Sequence, residues 1–196
     1  MLWKADFESG ELAGWKMTDA KAWRIEKTDM GKSLTLFRQS NHKPKVRSPL
    51  NYALLEDLPV TDFTLDVKLQ STARDYGHRD LCLFFGFQDP EHFYYVHLGK
   101  EADPHAHSVF LVNGAPRLSI AKERTEGTPW TDGWHHVRLK RNAESGDIEV
   151  FFDNMDKPVM KANDKTFTWG TVGIGSFDDT GRFDDIVLRG MSHKKE

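Results

Sequence analysis

Cysteine is almost missing from this 196-residue chain, which contains Cys82 and no other cysteine. An intrachain disulfide is therefore excluded. Cys82 lies within an apolar run, where a cysteine usually packs as a small buried hydrophobic residue. We expect this structural role for Cys82 rather than the role of a thiol nucleophile.

A strong excess of charge of either sign is also missing. The chain has 27 Lys and Arg residues against 30 Asp and Glu residues, and its formal net charge is -3. Proteins that bind duplex nucleic acid usually present a basic stripe. Because the two signs are interspersed here, we expect no nucleic-acid partner.

Long apolar runs are lacking as well. No stretch approaches the roughly 20 residues of a membrane-spanning helix, so the sequence predicts no membrane span. The first ten residues, MLWKADFESG, lack the charged region and apolar core of a secretory signal. The residues by themselves therefore indicate no compartment.

Helical periodicity is scarce, and the moderately helical pattern at Tyr52–Leu58 is short for a helix. Short runs of β-branched and aromatic residues recur instead, separated by turn-forming residues. The clearest is Phe63–Gln70, in which apolar and polar residues alternate strictly. This spacing predicts an all-β sandwich. We predict one β-sandwich domain over residues 1–190 and a C-terminal tail at residues 191–196.

The segment from Asp80 to Arg117 is the centre of the predicted site. Its apolar runs Leu81–Phe87, Phe93–Leu98 and Ser108–Val112 predict a three-stranded antiparallel meander. Strand side chains alternate between faces. Tyr94, Val96 and Leu98 should therefore share one face, and Phe93, Tyr95 and His97 the other.

Histidine, tyrosine and basic side chains gather around this meander. We predict His97, Tyr95 and Arg79 as catalytic residues, with His97 accessible to solvent and able to transfer protons near neutral pH. We also predict six residues that would bind the substrate, at the ends of the meander or in nearby turns. They are His78, Lys100, His105, His107, Arg117 and Trp130, the last in the turn Thr128–Gly133 and expected to be exposed for stacking on a sugar ring.

Three of the histidines also suggest a metal site. His105 and His107 have the spacing that places two imidazoles on one strand face, and His97 precedes them. Three imidazoles can bind zinc or copper. Solvated histidines on loops remain an equal alternative.

The C-terminal half carries a resemblance. The runs WHHVRL (134–139), IEVFFD (148–153), GIGSF (173–177) and FDDIVL (183–188) follow one another in an order similar to that of the concanavalin A-like lectin/glucanase superfamily. Laminin-G-like domains and 3-keto-disaccharide hydrolase-type domains belong to this superfamily. The resemblance implies a jelly-roll β-sandwich whose concave sheet faces carbohydrate, and a periplasmic or secreted location.

One departure from that resemblance limits the reaction. The Glu-x-Asp-x-x-Glu strand of the family-16 glucanases is missing from this sequence. Retaining glycosidases need two carboxylates about 5–5.5 Å apart, and the acidic pair on a predicted strand, Asp6 and Glu8, is far in sequence from the meander. The sequence therefore disfavours two-carboxylate retaining hydrolysis.

The run DDTGRFDD at residues 178–185 places four carboxylates around a glycine turn. Such carboxylates repel one another unless a cation intervenes, and calcium prefers oxygen ligands. The resemblance implies a structural calcium at which an acidic residue near the N-terminus meets one in the last strand. Here Asp6 or Glu8 would meet Asp184 or Asp185; a solvated turn balanced by Arg182 is the alternative.

These observations leave several functions open. Each has an oligo- or polysaccharide as partner, except the protein-binding module named last. The chain would act on or bind a glycan through its concave sheet. As an enzyme it would be a polysaccharide lyase on an acidic sugar or, second, a metal-assisted glycoside-cleaving enzyme. The alternative is a non-catalytic glycan- or protein-binding module of laminin-G type.

Overall fold

The computed structural model describes residues 1–193 and shows two antiparallel sheets packed face to face. In spatial order the nine-stranded sheet contains β11 (Ala121–Arg124), β14 (Met160–Asn163), β13 (Asp147–Phe152), β12 (His135–Arg141), β6 (Val60–Ser71), β16 (Gly181–Ser192), β4 (Gly31–Leu36) and β3 (Trp23–Thr28), with β1 (Trp3–Ala5) also paired to β16. The seven-stranded sheet contains β10 (Leu118–Ser119), β9 (Ser108–Asn113), β8 (His92–His97), β7 (Cys82–Asp89), β15 (Thr171–Ser176), β5 (Asn51–Leu55) and β2 (Trp15–Met17).

The predicted all-β sandwich is confirmed, because the helical structure between residues 1 and 193 is a single 3-10 turn at Ala20–Ala22. Within the same residues, no helix has the length and apolar character needed to cross a membrane. Strand β16 extends through Met191 and Ser192, which the sequence assigned to the tail. Residues 194–196 of that predicted tail lie outside the described residues.

The main core lies between the two sheets. Strand β6 contributes Phe63, Leu65, Val67 and Leu69 to it, as the alternation predicted. From the meander, Tyr94, Val96 and Leu98 also point into this core. The predicted division of β8 into two faces is therefore confirmed.

A second apolar cluster covers the opposite side of the seven-stranded sheet, which we call the outer face. It contains Tyr52, Leu54, Cys82, Phe84, Phe87, Phe93, Tyr95, Phe110 and Val112, with Val46 and Phe177 packed against it. Strand β15 crosses this face with glycines at positions 173 and 175, which pair with Leu54 and Tyr52 on one side. Because a glycine has no side chain, the rings of Tyr52 and Phe84 meet across β15 with centroids 5.5 Å apart.

The moderately helical pattern at Tyr52–Leu58 does not correspond to a helix. Residues Asn51–Leu55 form β5, and all five are buried. A strand covered on both faces loses the alternation of apolar and polar residues that identifies a half-buried strand. Such a short apolar run cannot be distinguished from a buried helical segment by its periodicity.

Candidate functional site

The meander positions the predicted catalytic residues by strand pairing. Cys82 on β7 lies opposite His97 on β8, and His97 in turn lies opposite Ser108 on β9. Tyr95 lies between Phe84 and Phe110 in the same way. Tyr95 and His97 thus point to the outer face together, as the sequence predicted.

The prediction that His97 is accessible to solvent was wrong. His97 is 4% exposed and Tyr95 is 0% exposed. The ring of Phe177 stacks on His97 with centroids 5.8 Å apart. The Arg117 guanidinium lies 4.2 Å from the Phe177 ring centre and covers this ring in turn. Side chains from distant loops therefore seal this end of the outer face.

Four of the predicted residues form one hydrogen-bond network. Arg117 donates to the Tyr95 hydroxyl at 2.6 Å and to the backbone carbonyl of His105 at 2.7 Å. The same carbonyl lies 3.1 Å from His97 Nδ1. Burial raises the pKa of Tyr95 well above its usual value. The network therefore fixes the loop before β9, and the Tyr95 hydroxyl stays protonated at neutral pH.

Beside this network lies a cluster that the sequence analysis missed. The Asp80 Oδ2 atom is 3.3 Å from Cys82 Sγ and 3.4 Å from His97 Nε2, and it accepts the Phe177 backbone N–H at 2.8 Å. Burial and the neighbouring Asp80 carboxylate raise the pKa of Cys82 well above its usual value. The Asp-x-Cys spacing on one strand was the signal that could have indicated this cluster.

Two further carboxylates, those of Asp178 and Asp179, lie near Asp80. Asp179 accepts the Asp80 backbone N–H and the Tyr76 hydroxyl, both at 2.9 Å. Burial and the negative charge of Asp80 raise the pKa of Asp179 to about 6, and they also raise the pKa of Asp178. Both residues belong to the acidic run that the sequence analysis assigned to calcium.

Arg79 lies away from this network. Its side chain is 2% exposed and donates to the Ser71 hydroxyl and carbonyl and to the Thr131 carbonyl, each at 3.0 Å. A further bond of 3.1 Å reaches Asp132. These partners tie β6 to the turn before β12, so the guanidinium does not reach a ligand at the surface.

Two other predicted binding residues are also buried. The expectation that Trp130 is exposed was wrong, because it is 7% exposed, packs against Phe152 and donates from its indole to the Leu98 carbonyl at 2.7 Å. His107 is fully buried, with its two ring nitrogens 3.0 and 2.9 Å from the hydroxyls of Thr128 and Thr125. Trp130 therefore belongs to the main core, and His107 lies against the 125–128 segment.

The remaining predicted binding residues are exposed or half-buried and already paired. Lys100 donates to Asp75 at 2.5 Å, and the His78 imidazole lies 3.4 Å from Asp103. The zinc or copper site of three imidazoles is not formed. In the described part of the chain, a different set of three metal-binding side chains converges. It consists of Asp80, Cys82 and His97, whose donor atoms lie within 4.8 Å of one another.

The four residues predicted to bind calcium lie near one another. Strand β1 pairs with β16 so that Ala5 lies opposite Ile186. A register shift follows Asp184, and Asp185 has a φ of 45°, so the chain bulges here, and Asp184 is buried. Burial raises the pKa of Asp184 to about 6, and the negative charges of Asp185, Glu8 and Asp6 contribute to this rise. A hard cation is the kind of partner that such oxygens would take.

A second feature of the outer face lies at the other end of the sheet. It is a groove of about 630 Å³, which we call the β5 groove. Its apolar lining includes the half-buried Trp169 and the rings of Tyr52, Phe87 and His42. The residues that line its polar rim are Lys16, Thr18, Glu56, Asp57, Gln88, Asp89 and Thr171.

Burial sets the chemistry of two groups in the β5 groove. It raises the pKa of Tyr52 to about 12, so its hydroxyl stays protonated at neutral pH. It lowers the pKa of His42, whose ring meets that of Tyr52 edge to face at 5.6 Å. The sequence analysis did not select these residues, because they come from segments far apart in the chain.

Comparison with solved structures identifies the fold. The carbohydrate binding module CBM66 from Bacillus subtilis matches with a TM-score of 0.63 at 18% identity, over 90% of this chain and 96% of that one. Domain 4 of AbnA, a GH43 extracellular arabinanase from Geobacillus stearothermophilus, in complex with arabinotriose, gives 0.60 at 10% identity, over 98% and 93%. A beta-1,3-glucanase from Mycobacterium marinum gives 0.56 at 13% identity, over 96% and 98%.

Sequence comparison adds nothing to this result, since no family model and no curated protein match the chain. At such low identity the structural likeness establishes the fold alone. The jelly-roll sandwich fold, which the resemblance implied, is therefore confirmed.

Proposed function

We propose that this protein binds a neutral saccharide in the β5 groove. The observation that carries this proposal is the lining of the groove, in which Tyr52, Phe87 and Trp169 contribute aromatic rings beside a polar rim. Ligand sites commonly have volumes of roughly 300–1,000 Å³ and combine an apolar lining with a few polar groups. A sugar ring offers matching chemistry, since its C–H face packs on aromatic rings and its hydroxyls form hydrogen bonds with the rim.

The charges around the groove favour a neutral sugar over a uronate. Glu56, Asp57 and Asp89 stand on the rim against the single cation Lys16, and His42 is neutral at neutral pH because burial lowers its pKa. An acidic sugar would be repelled by this rim. The sequence analysis expected an acidic sugar from basic residues near the meander, but Lys100 already pairs with Asp75.

The solved structures support a saccharide ligand. One similar fold is named as a carbohydrate binding module, and another is an arabinanase domain in complex with arabinotriose. For the lyase hypothesis, the buried positions of Tyr95 and His97 are unfavourable, because a polymer cannot reach a base that is 4% exposed. Binding without cleavage is thus the function that the geometry supports best.

A panel of oligosaccharides tests this proposal. Neutral and uronate-containing oligosaccharides are titrated into the protein by calorimetry, while reducing ends and unsaturated-uronate absorbance are followed in parallel samples. We expect saturable binding of a neutral oligosaccharide and no product. Appearance of unsaturated uronate would establish the lyase instead, and absence of binding across the panel would favour a protein-binding module.

A further inference from the structure

The strand register brings three chemically different donor groups together at the sealed end of the outer face. Cys82 and His97 are directly opposite each other on β7 and β8. Asp80 precedes Cys82 by two residues, and its carboxylate lies beside the Cys82 thiol at 3.3 Å. A carboxylate, a thiol and an imidazole thus converge, with one donor atom of each within 4.8 Å of the others.

We propose that Asp80, Cys82 and His97 form a binding site for a zinc-type divalent metal ion. This proposal is independent of saccharide binding in the β5 groove. It replaces the three-imidazole site expected from the sequence, since the ring nitrogens of His107 are bonded to threonine hydroxyls.

Two buried side-chain atoms of these three residues lack hydrogen-bond partners. Within residues 1–193, Asp80 Oδ1 and His97 Nε2 are buried and make no hydrogen bond. His97 Nε2 is 3.4 Å from Asp80 Oδ2 but is not aligned for a hydrogen bond to it. Unpaired buried polar groups, and carboxylates above all, are costly. A metal ion would give His97 Nε2 a partner and would place a positive charge beside the buried Asp80 carboxylate.

The distances between donors suit a tetrahedral ion. Zinc binds sulfur at about 2.3 Å and nitrogen or oxygen at about 2.0–2.2 Å, so neighbouring donors of a tetrahedral site lie roughly 3.5 Å apart. The Asp80 Oδ2 atom has neighbours at 3.3 and 3.4 Å, which are Cys82 Sγ and His97 Nε2. Small shifts of the thiol and imidazole would place one ion between all three donors.

The donor types select the metal. A thiolate and an imidazole favour zinc and other borderline transition ions over calcium or magnesium, which take oxygen ligands. A thiolate and a carboxylate together balance the two positive charges of the ion. Three protein ligands also leave a fourth position for water.

The single cysteine makes the test specific. Reduced, chelator-treated protein is titrated with Co²⁺, and thiolate-to-cobalt charge-transfer absorption is recorded in the near ultraviolet. In a second sample Co²⁺ is supplied during expression, so that slow entry into the folded protein cannot hide a site. Because the chain has one cysteine, this absorption can arise from Cys82 alone. We expect one Co²⁺ per chain, the charge-transfer band, and displacement of Co²⁺ by Zn²⁺.

Variants identify the other ligands. Asp80→Asn and His97→Ala, each checked for folding by circular dichroism, should weaken Co²⁺ binding at least about tenfold, the size of effect that loss of a supporting metal contact has. His105→Ala is the matched control, because its exposed imidazole makes no contact in the cluster and its backbone carbonyl is kept. Should both wild-type samples lack the charge-transfer band, or should His105→Ala alone weaken binding, the proposed site is overturned.

Discussion

Single residues show that one side-chain type serves several purposes in this molecule. His97 is buried beside a carboxylate, His107 is buried between two hydroxyls, and His42 is half-buried against a tyrosine ring in the β5 groove. The sequence shows that these histidines are present but not what lies over them. The covering groups come from other parts of the chain, so solvent access is set by tertiary contacts.

His107 should make stability depend on pH. Burial and the positive charges of Arg124 and His97 lower its pKa to about 4. The unfolded chain therefore binds a proton more readily than the folded one between the ordinary value near 6.5 and about 4. The stability contributed by His107 is fully present above pH 6.5 and is lost as pH falls through this window, by at most roughly 3 kcal/mol.

Replacement of His107 tests this expectation. His107→Asn keeps a hydrogen-bonding side chain and a residue type that tolerates the φ of 51° at this position. The free energy of unfolding is measured by urea titration from pH 7 to pH 4 for this variant, for wild type and for His105→Asn, the exposed neighbour. We expect a smaller decrease toward acid pH in His107→Asn alone; equal decreases in all three proteins would refute the assignment.

Arg79 should act on stability and not on ligand binding. Its planar guanidinium holds four bonds between β6 and the turn before β12, and a lysine cannot reproduce this geometry. We expect Arg79→Lys to lower the free energy of unfolding by about 2–3 kcal/mol. Exposed Arg74→Lys, five positions upstream, should change it by less than about 0.5 kcal/mol. A marked loss of saccharide affinity in folded Arg79→Lys would contradict this structural role.

Among the elements, β5 and β6 show what strand patterning can predict. Strand β6 has one face in the core and one toward solvent, so its alternation predicted its inward residues, although the strand (Val60–Ser71) is longer than the predicted Phe63–Gln70. Strand β5 is buried on both faces, because the 37–50 segment lies over the outer face and brings Val46 onto it. Its sequence therefore carries no alternation, and its conformation depends on a segment that the local pattern does not reveal.

The pairing of β1 with β16 should respond to calcium. Asp6 and Glu8 follow β1, while Asp184 and Asp185 lie at the bulge of β16. Burial, together with the negative charges of the other three carboxylates, raises the pKa of Asp184. A cation bound by the folded state alone stabilises that state. We expect the Tm of metal-stripped protein to rise when calcium is added back.

The matched variants for calcium come from the same acidic run. Asp184→Asn should lose the calcium-dependent rise in Tm. Asp178→Asn should keep it, because Asp178 stands near Asp80 rather than near β1. If calcium leaves the Tm of the wild type unchanged, these carboxylates do not hold a structural calcium.

At the scale of the whole molecule, the strand rhythm and turn residues were enough to predict an all-β sandwich. The position of the candidate site was harder to predict, because the β5 groove combines residues from β5, the β7 end, the 37–50 segment and the 168–171 segment. Residues that are adjacent in sequence, such as those around His97, were selected instead. They turned out to lie under Phe177 and Arg117, a burial that depends on contacts across the sheet.

The central claim is that the β5 groove binds a saccharide, and paired tryptophan variants test it most directly. Trp169 lines the groove, whereas Trp134, which is also half-buried, directly precedes β12 of the nine-stranded sheet and donates its indole N–H to Asp29. Calorimetry is carried out on both Ala variants with the oligosaccharide that binds the wild type best. We predict that Trp169→Ala loses at least about tenfold in affinity, or about 1.4 kcal/mol, while Trp134→Ala binds as the wild type does. Equal affinity in all three folded proteins would contradict the assignment of the groove.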